Sequence, residues 1–469
     1  MGNPIPHSDP AFPPPSGPPS ASPAGPVAFH TVGGRRRNLS RRELLGWLSA
    51  GAGAAALGGG AWLLDGSVPG TAGRPDPSGE APTTTARSGP IAMPAGGGSP
   101  AGADRLLVMI EFAGGNDGLS MVAPIGDGRF HDLRPSLADF DGDPIDIDGH
   151  HAFHPLLTNV AARQPAVLQG VGSRRPDFSH FEMQVRWWEG APDASRQYDT
   201  GVLGRLADAV GAPDAPVVAL SVSDGAHPIM ISRTASTLTV PDAHATWYLT
   251  GATSDDVLRQ RFQRAHRALG SDSTEGFAAA RYTMMQRTAA CADAVGVEED
   301  EAATSLGYRD DRLGNGLQMA LRLFERNVGL RVVHVTMDGG FDTHEGHAWK
   351  YQELMSAFDD NLGAFFAELD QRGIADRVLV ATMSEFGRTV GENGSGGLDH
   401  GAASSMLLFG PVRPGLHGEA PTFSGLSAED GLPSAVPFDR YFATLAEQWF
   451  GVSADDVAPG AVALDGLLT

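Results

Sequence analysis

Arg331-Val332-Val333-His334-Val335-Thr336-Met337 runs straight into Asp338-Gly339-Gly340-Phe341-Asp342-Thr343-His344-Glu345-Gly346-His347, and residues 350–372 then repeat apolar side chains at helical spacing. A β-branched apolar run of this length suits a strand covered on both faces. The glycines that end it free the backbone for a tight loop. Strand, loop and amphipathic helix together make one βα unit, and that unit sets the expectation for the rest. Outward in both directions the alternation repeats. Strands are expected at 105–112, 166–171, 216–222, 331–337, 378–383 and 406–409. Helices are expected at 179–189, 201–210, 254–268, 274–295, 315–326, 350–372 and 437–450. The fold class that follows is α/β, a mostly parallel sheet with helices on both faces, and residues 254–328 read as a helical cap on it.

In such sheets ligands bind beyond the carboxyl ends of the strands, where loops and helix N-termini converge. The first strand is followed by Ala113-Gly114-Gly115-Asn116-Asp117-Gly118, and the second by Ser173-Arg174-Arg175-Pro176-Asp177-Phe178-Ser179-His180-Phe181-Glu182. After 331–337 comes the loop already quoted; after 378–383 come Ser384-Glu385-Phe386-Gly387-Arg388-Thr389 and then Leu398-Asp399-His400-Gly401. Four strand ends deliver carboxylates, and three of them deliver histidine too. Asp342, His344 and His347 lie in one loop, and Asp117, Glu385, Asp399 and His400 come from others. This mixed oxygen and nitrogen set suits one or two divalent ions of zinc, manganese or magnesium.

Each residue also has a plainer reading. Asp117 between glycines is equally a turn residue. His347 can open the next helix and act only as a partner, and Asp338 can bond loop backbone. Ser179-x-x-Glu182 has the form of a capping box. The same position puts a hydroxyl among the free N–H groups of a helix N-terminus, where an anion sits and a metal-activated nucleophile could act. His180 is either a ligand or the first helical residue. Arg174, Arg175 and Arg388 are candidates to clamp a tetrahedral oxyanion, with Asn116 a further substrate contact. His227 and His244 follow other loops, and nothing in the spacing places them. Asp139, Asp141, Asp143, Asp146 and Asp148 lack the glycine and distal glutamate of a calcium loop and read as a solvated hairpin. His150, His151 and His154 read as caps of the helix that follows.

Charge divides the chain. Residues 1–103 hold 17 of the 34 prolines and 7 basic against 5 acidic side chains, so 104–469 hold 27 basic against 51 acidic, a net of about −24. Such a body lacks the basic surface that nucleic-acid binding needs. The single cysteine, Cys291, excludes internal disulfides and Cys-rich metal sites.

Residues 1–34 read as a disordered extension, with translation expected to begin nearer Val27 or Val32. Residues 35–64 carry Ser40-Arg41-Arg42-Glu43-Leu44-Leu45 and an apolar run of about 21 residues. This resembles the twin-arginine (Tat) signal, in which Arg41 and Arg42 would be read by the Tat translocon. The chain is then expected in the periplasm, the envelope or outside the cell, touching membrane only if the signal stays uncleaved. Residues 65–103 read as a flexible tether, and 104–469 as a single α/β domain.

These motifs together resemble the secreted bacterial family of domain of unknown function 1501. They are the twin-arginine leader, Gly114 to Leu119, Ser179-His180-Phe181, Gly339 to His344, Ser384 to Thr389, and Leu398 to Gly401. That family in turn resembles the alkaline phosphatase and sulfatase superfamily, which implies an alkaline-phosphatase-like core and a metal-dependent hydrolase of phosphate or sulfate esters. The resemblance puts Asp117 at the superfamily's first aspartate and Ser179 at its nucleophile. Asp342 with His344 or His347 falls at the next ligand pair, and His400 at the final histidine. Glu385-Phe386 departs from the superfamily's Asp-His, so one metal site would be altered unless Asp399 compensates. A non-catalytic envelope binding or assembly protein on the same fold is the alternative.

Overall fold

The computed structural model describes residues 104–193, 198–241, 307–337 and 340–469. β1 (Leu106–Phe112) is buried along its whole length. Leu106, Val108, Ile110 and Phe112 enter one hydrophobic core, while Leu107 and Met109 enter another. The two-residue period of a strand thus divides one apolar run between two cores, one on each face.

The other strands are β2 (Val122–Ala123), β3 (Ile145–Asp146), β4 (Ala152–Phe153), β5 (Ala166–Gly172), β6 (Ala219–Val222), β7 (Thr237–Val240), β8 (Val332–Met337), β9 (Val378–Met383), β10 (Ser404–Phe409), β11 (Gly415–His417) and β12 (Val436–Pro437). Among the described residues the main sheet has nine strands, in the order β11-β5-β10-β9-β1-β8-β6-β7, with β12 also beside β5. β1 is parallel to β8 and β9, and β6 to β7 and β8. β10 runs antiparallel to both β9 and β5, so it alone reverses the common direction. β1, β8 and β9 therefore end side by side, which brings their following loops to one edge.

The helices used below are α1 (His180–Glu189), α2 (Val202–Val210), α3 (Arg312–Glu325), α4 (His347–Arg372) and α5 (Phe438–Thr444). Leu317 of α3 and Tyr351, Phe358 and Phe365 of α4 fill the first core. Trp187 of α1, Leu203 of α2 and Tyr441 of α5 fill the second. The α/β class with helices on both faces is therefore observed. α5 continues as a π-helical turn over Leu445–Phe450, completing the helix expected at 437–450.

Several expectations need adjusting. The helices expected at 254–268 and 274–295, with His244, Cys291, Asp338 and most of the 254–328 cap, lie outside the described residues. α3, at the end of that stretch, packs straight onto the sheet. β7 was not expected, although Thr237-Leu238-Thr239-Val240 alternates as a half-buried strand should. The aspartate-rich stretch does form a hairpin, β3 against β4, its turn held by Asp146 and Asp148 accepting backbone N–H groups. The helix after His154 is capped at Leu157, not by histidine. Among the described residues no helix is long and apolar enough to cross a membrane.

Candidate metal centre

The loop after β1 is glycine-rich because it passes close to two other strand ends. Gly114 has φ +116°, and a Cβ there would lie 2.8 Å from the Asp342 nitrogen. At Gly115, with φ +81°, a Cβ would lie 2.4 Å from the Phe386 ring. Only glycine tolerates both the backbone and the approach. The Gly114 N–H donates to both oxygens of Glu385, at 2.9 and 3.2 Å, and so ties the β1 and β9 ends together.

Beyond this tie, three imidazoles and one carboxylate converge. His180 Nε2 and His344 Nε2 lie 3.0 and 2.9 Å from His400 Nε2. Asp342 Oδ1 lies 3.4 Å from His180 Nε2, 3.1 Å from His344 Nε2 and 3.4 Å from His400 Nε2. The opposite nitrogen of each ring is also engaged. His180 Nδ1 is 2.8 Å from Glu385 Oε1, His344 Nδ1 is 2.8 Å from Asp399 Oδ1, and His400 Nδ1 is 2.6 Å from the Phe178 carbonyl oxygen. Carboxylate and carbonyl only accept, so each Nδ1 carries the hydrogen, and in the neutral ring Nε2 presents a bare lone pair. The His400 lone pair and the Asp342 oxygen then face each other and the other two nitrogens across 2.9 to 3.4 Å. A single cation resolves that repulsion. Four donors around zinc, at bonds of roughly 2.0–2.1 Å in a tetrahedron, stand about 3.4 Å apart. The donors fit.

Their surroundings tune them further. Burial pushes the Asp342 carboxyl up, but Arg388 Nη2 at 2.7 Å, with His344 and His180, holds the group below its ordinary value. The Glu385 hydrogen bond raises His180, and burial lowers His400. The His344 contact holds Asp399 low. The cluster is half-open, with the Asp342 and His344 side chains 45% and 43% exposed. Phe386 stands as its apolar wall, with ring centroids 4.7 Å from His180 and 4.8 Å from His400.

The structure thus brings together three residues singled out as metal ligands, Asp342, His344 and His400. It adds His180, which the sequence left between ligand and helix start. Glu385 and Asp399 stand one layer out, orienting imidazoles. Asp117, His347 and Asn116 are engaged elsewhere. Arg134, fully buried, holds Asp117 through two bonds, Nη1 to Oδ2 at 2.7 Å and Nη2 to Oδ1 at 3.0 Å. It also donates to the Thr389 and Val390 carbonyls. His347 lies 3.3 Å from Asp117 Oδ2 and 2.7 Å from Thr343 Oγ1. The Tyr351 hydroxyl donates to Asn116 Oδ1 and the Asp117 carbonyl. Burial alone would raise the Asp117 carboxyl, yet Arg134 and His347 hold it far below the carboxylate range.

The arginines differ from expectation as well. Arg388 is buried and donates to the Gly114, Gly115, Phe341 and Leu398 carbonyls besides Asp342, so it positions loops and is not free to clamp an anion. Arg174 forms a two-bond pair with Asp439, at 2.9 and 3.1 Å. Arg175 is exposed. Ser179 does occupy the N-cap of α1, but its side chain makes no cap bond and Glu182 pairs with Arg186, so the capping box does not form. Sequence spacing does not group Glu111, His227 and His334, which the fold also brings together. Buried polar residues inside apolar strands were the available signal.

The fold and the cluster define an α/β protein with a histidine-rich candidate metal centre at its strand ends. Residues 164–436 match the family described as "Protein of unknown function (DUF1501)", and the chain belongs to that family. No curated protein matches the sequence. Similar solved structures include the lipoteichoic acid synthase of Listeria monocytogenes, at 10% identity and TM-score 0.35 over 79% of this chain and 78% of that one. A protein in the alkaline phosphatase superfamily from Vibrio parahaemolyticus is similar at 10% identity and TM-score 0.37, over 79% and 72%. The phosphonate monoester hydrolase of Silicibacter pomeroyi is similar at 12% identity and TM-score 0.31, over 77% and 78%.

Proposed function

We propose that this chain is a Tat-exported, metal-dependent hydrolase of phosphate or sulfate esters, with its ion held by His180, Asp342, His344 and His400. The observation that carries the reading is the convergence of three Nε2 atoms and Asp342 Oδ1, each imidazole fixed from behind by an acceptor. Three nitrogens and one oxygen favour zinc over magnesium, which prefers an all-oxygen shell. A bound ion supplies Lewis-acid polarisation of an ester oxygen.

The chain's own residues do the rest. Ser179 sits one residue before His180, at the N-cap of a ten-residue helix, and is the nucleophile of this proposal. The unpaired N–H groups of the first turn of α1 and the positive end of its dipole attract the anionic ester. Arg175, exposed on the same loop, adds a guanidinium that Arg174 and Arg388, already paired, cannot. Arg388 keeps Asp342 ionised and aimed at the cluster. Glu385 and Asp399 hold two imidazoles in the ligating tautomer.

One observation favours a second reading, a non-catalytic envelope protein on the same scaffold. Four protein donors close a tetrahedron, which is the habit of structural zinc, whereas catalytic zinc keeps a position open. Exposure of Asp342 and His344 favours the enzyme. Zinc-loaded protein assayed against chromogenic phosphate and sulfate esters separates the two. Turnover that disappears in both Asp342→Ala and Ser179→Ala supports the hydrolase with its serine step. Turnover surviving Ser179→Ala rejects that step alone, and zinc bound without turnover at any pH leaves the structural reading.

A further inference from the structure

β1, β8 and β6 are adjacent and parallel, and their side chains on the face toward α1 and α2 are apolar except at one place. There Glu111 and His334 are buried, 2% and 0% exposed, with Ser221 in register beside His334. An ionisable group on a central strand carries a desolvation cost of several kcal/mol unless something compensates it. Glu111 Oε1 accepts from Trp188 Nε1 at 2.8 Å, which turns Oε2 toward two imidazoles. That oxygen lies 2.7 Å from His334 Nε2 and 3.3 Å from His227 Nε2, and the two rings stand 4.3 Å apart.

The outer bonds are arranged for ligation. His334 Nδ1 lies 3.1 Å from Ser221 Oγ, Ser221 Oγ lies 2.9 Å from Ser223 Oγ, and Ser223 Oγ donates to the Gly225 carbonyl. With the His334 hydrogen on Nδ1, every group in this chain donates once, ending on an acceptor. His334 Nε2 is then bare and points at Glu111. Among the described residues the buried His227 Nδ1 has no hydrogen-bond partner, so no other group competes for the ring and Nε2 is left facing Glu111.

We propose that Glu111 Oε2, His227 Nε2 and His334 Nε2 form a second divalent-metal site of the zinc class, distinct from the four-donor cluster. Two imidazoles and one carboxylate match that ion's preferences, and the three donor atoms lie within 4.8 Å of one another. A fourth position is left for water or another small ligand. The site needs neither turnover nor Ser179, so it stands apart from the proposed hydrolysis.

The test uses the full chain, loaded with Zn²⁺ alone and freed of excess. Ion content per chain and zinc-edge absorption spectra are measured for wild type, for His344→Ala/His400→Ala, and for that variant with Glu111→Gln added. Two ions are expected in wild type. One is expected in the double variant, with two imidazoles in its shell, and none in the triple variant. The double variant leaves the buried site untouched, so a folding failure of Glu111→Gln does not remove the test. A double variant that retains no zinc, or zinc bound without imidazole, overturns the proposal. Zinc retained in a folded triple variant overturns it too. A single wild-type ion that survives His344→Ala/His400→Ala and leaves on Glu111→Gln supports this site while refuting the four-donor cluster.

Discussion

Two places in this molecule assemble the same residue types, and they do opposite things with them. Asp117 and His347 meet at the strand ends with Arg134 between the loops; Asp342, His180, His344 and His400 meet nearby. In the first, the protein supplies its own cation. Arg134 makes two bonds to Asp117 and more to carbonyls, and His347 is bonded on both nitrogens. No lone pair there needs a further partner. In the second, every outward nitrogen is bonded and every inward one faces another acceptor. What separates a structural knot from a metal centre is therefore whether the donors and acceptors balance, not whether aspartate and histidine are present.

The largest effect that could break this contrast lies in the knot. Arg134→Ala leaves Asp117 buried without its counterion, and about 3–5 kcal/mol of stability should disappear. Urea unfolding of apo protein reads it directly, and a loss below about 1 kcal/mol would mean that the pair is not what holds the loops. By contrast, His344→Ala/His400→Ala should cost apo stability much less, because the outer hydrogen bonds to Asp399 and the Phe178 carbonyl are lost together with the repulsion among the inward nitrogens.

The knot should also carry a pH signature. His154, buried beside Tyr351, has its pKa pushed down to about 4, by burial first and then by His347, against the pull of Asp117. In the unfolded chain the same imidazole titrates near about 6.5. Above that value neither state is protonated and the group costs nothing. As pH falls from about 6.5 to 4, the unfolded chain takes a proton that the folded chain refuses, so stability drops by on the order of 3 kcal/mol. His154→Gln should flatten that part of the profile. An unchanged slope would place the pH dependence elsewhere.

How far the sequence could see follows from the same contrast. Alternation of apolar runs and amphipathic stretches read out the α/β sheet, because period two and period 3.6 are local properties. The glycine loops located the strand ends for the same reason. Which residues share a cluster depends on strand order, and β1 lies between β8 and β9, far apart in the chain. Asp117 and Asp342 both follow a strand within a glycine loop, yet only Arg134, just past the end of the short helix Gly128–Leu133 and in no motif, decides that Asp117 is taken. His180 was hidden by a plausible capping pattern that does not form. Glu111 and His334 were hidden inside strands, where apolar neighbours drew the attention.

Zinc linkage sharpens the comparison next. At roughly 100-fold excess over its dissociation constant, an ion held by the folded state alone adds about 2.7 kcal/mol. His344→Ala/His400→Ala should lose that increment while Asp117→Asn should keep it; differential scanning fluorimetry with and without zinc checks both. Equal shifts in the two variants would erase the distinction.

Smaller still is the outer layer. Glu385→Gln and Asp399→Asn should each weaken zinc binding by roughly 10–100-fold, because each fixes one imidazole's orientation and tautomer. Competition with a chelating dye measures this. Affinity unchanged in both would put the two carboxylates outside the centre.

The most direct test is the position of the ion itself. Crystals soaked in zinc should give an anomalous peak at the zinc edge about 2.0–2.2 Å from the Nε2 atoms of His180, His344 and His400 and from Asp342 Oδ1. No peak among those four atoms in the soaked crystal, with the three rings still facing one another, would contradict the account.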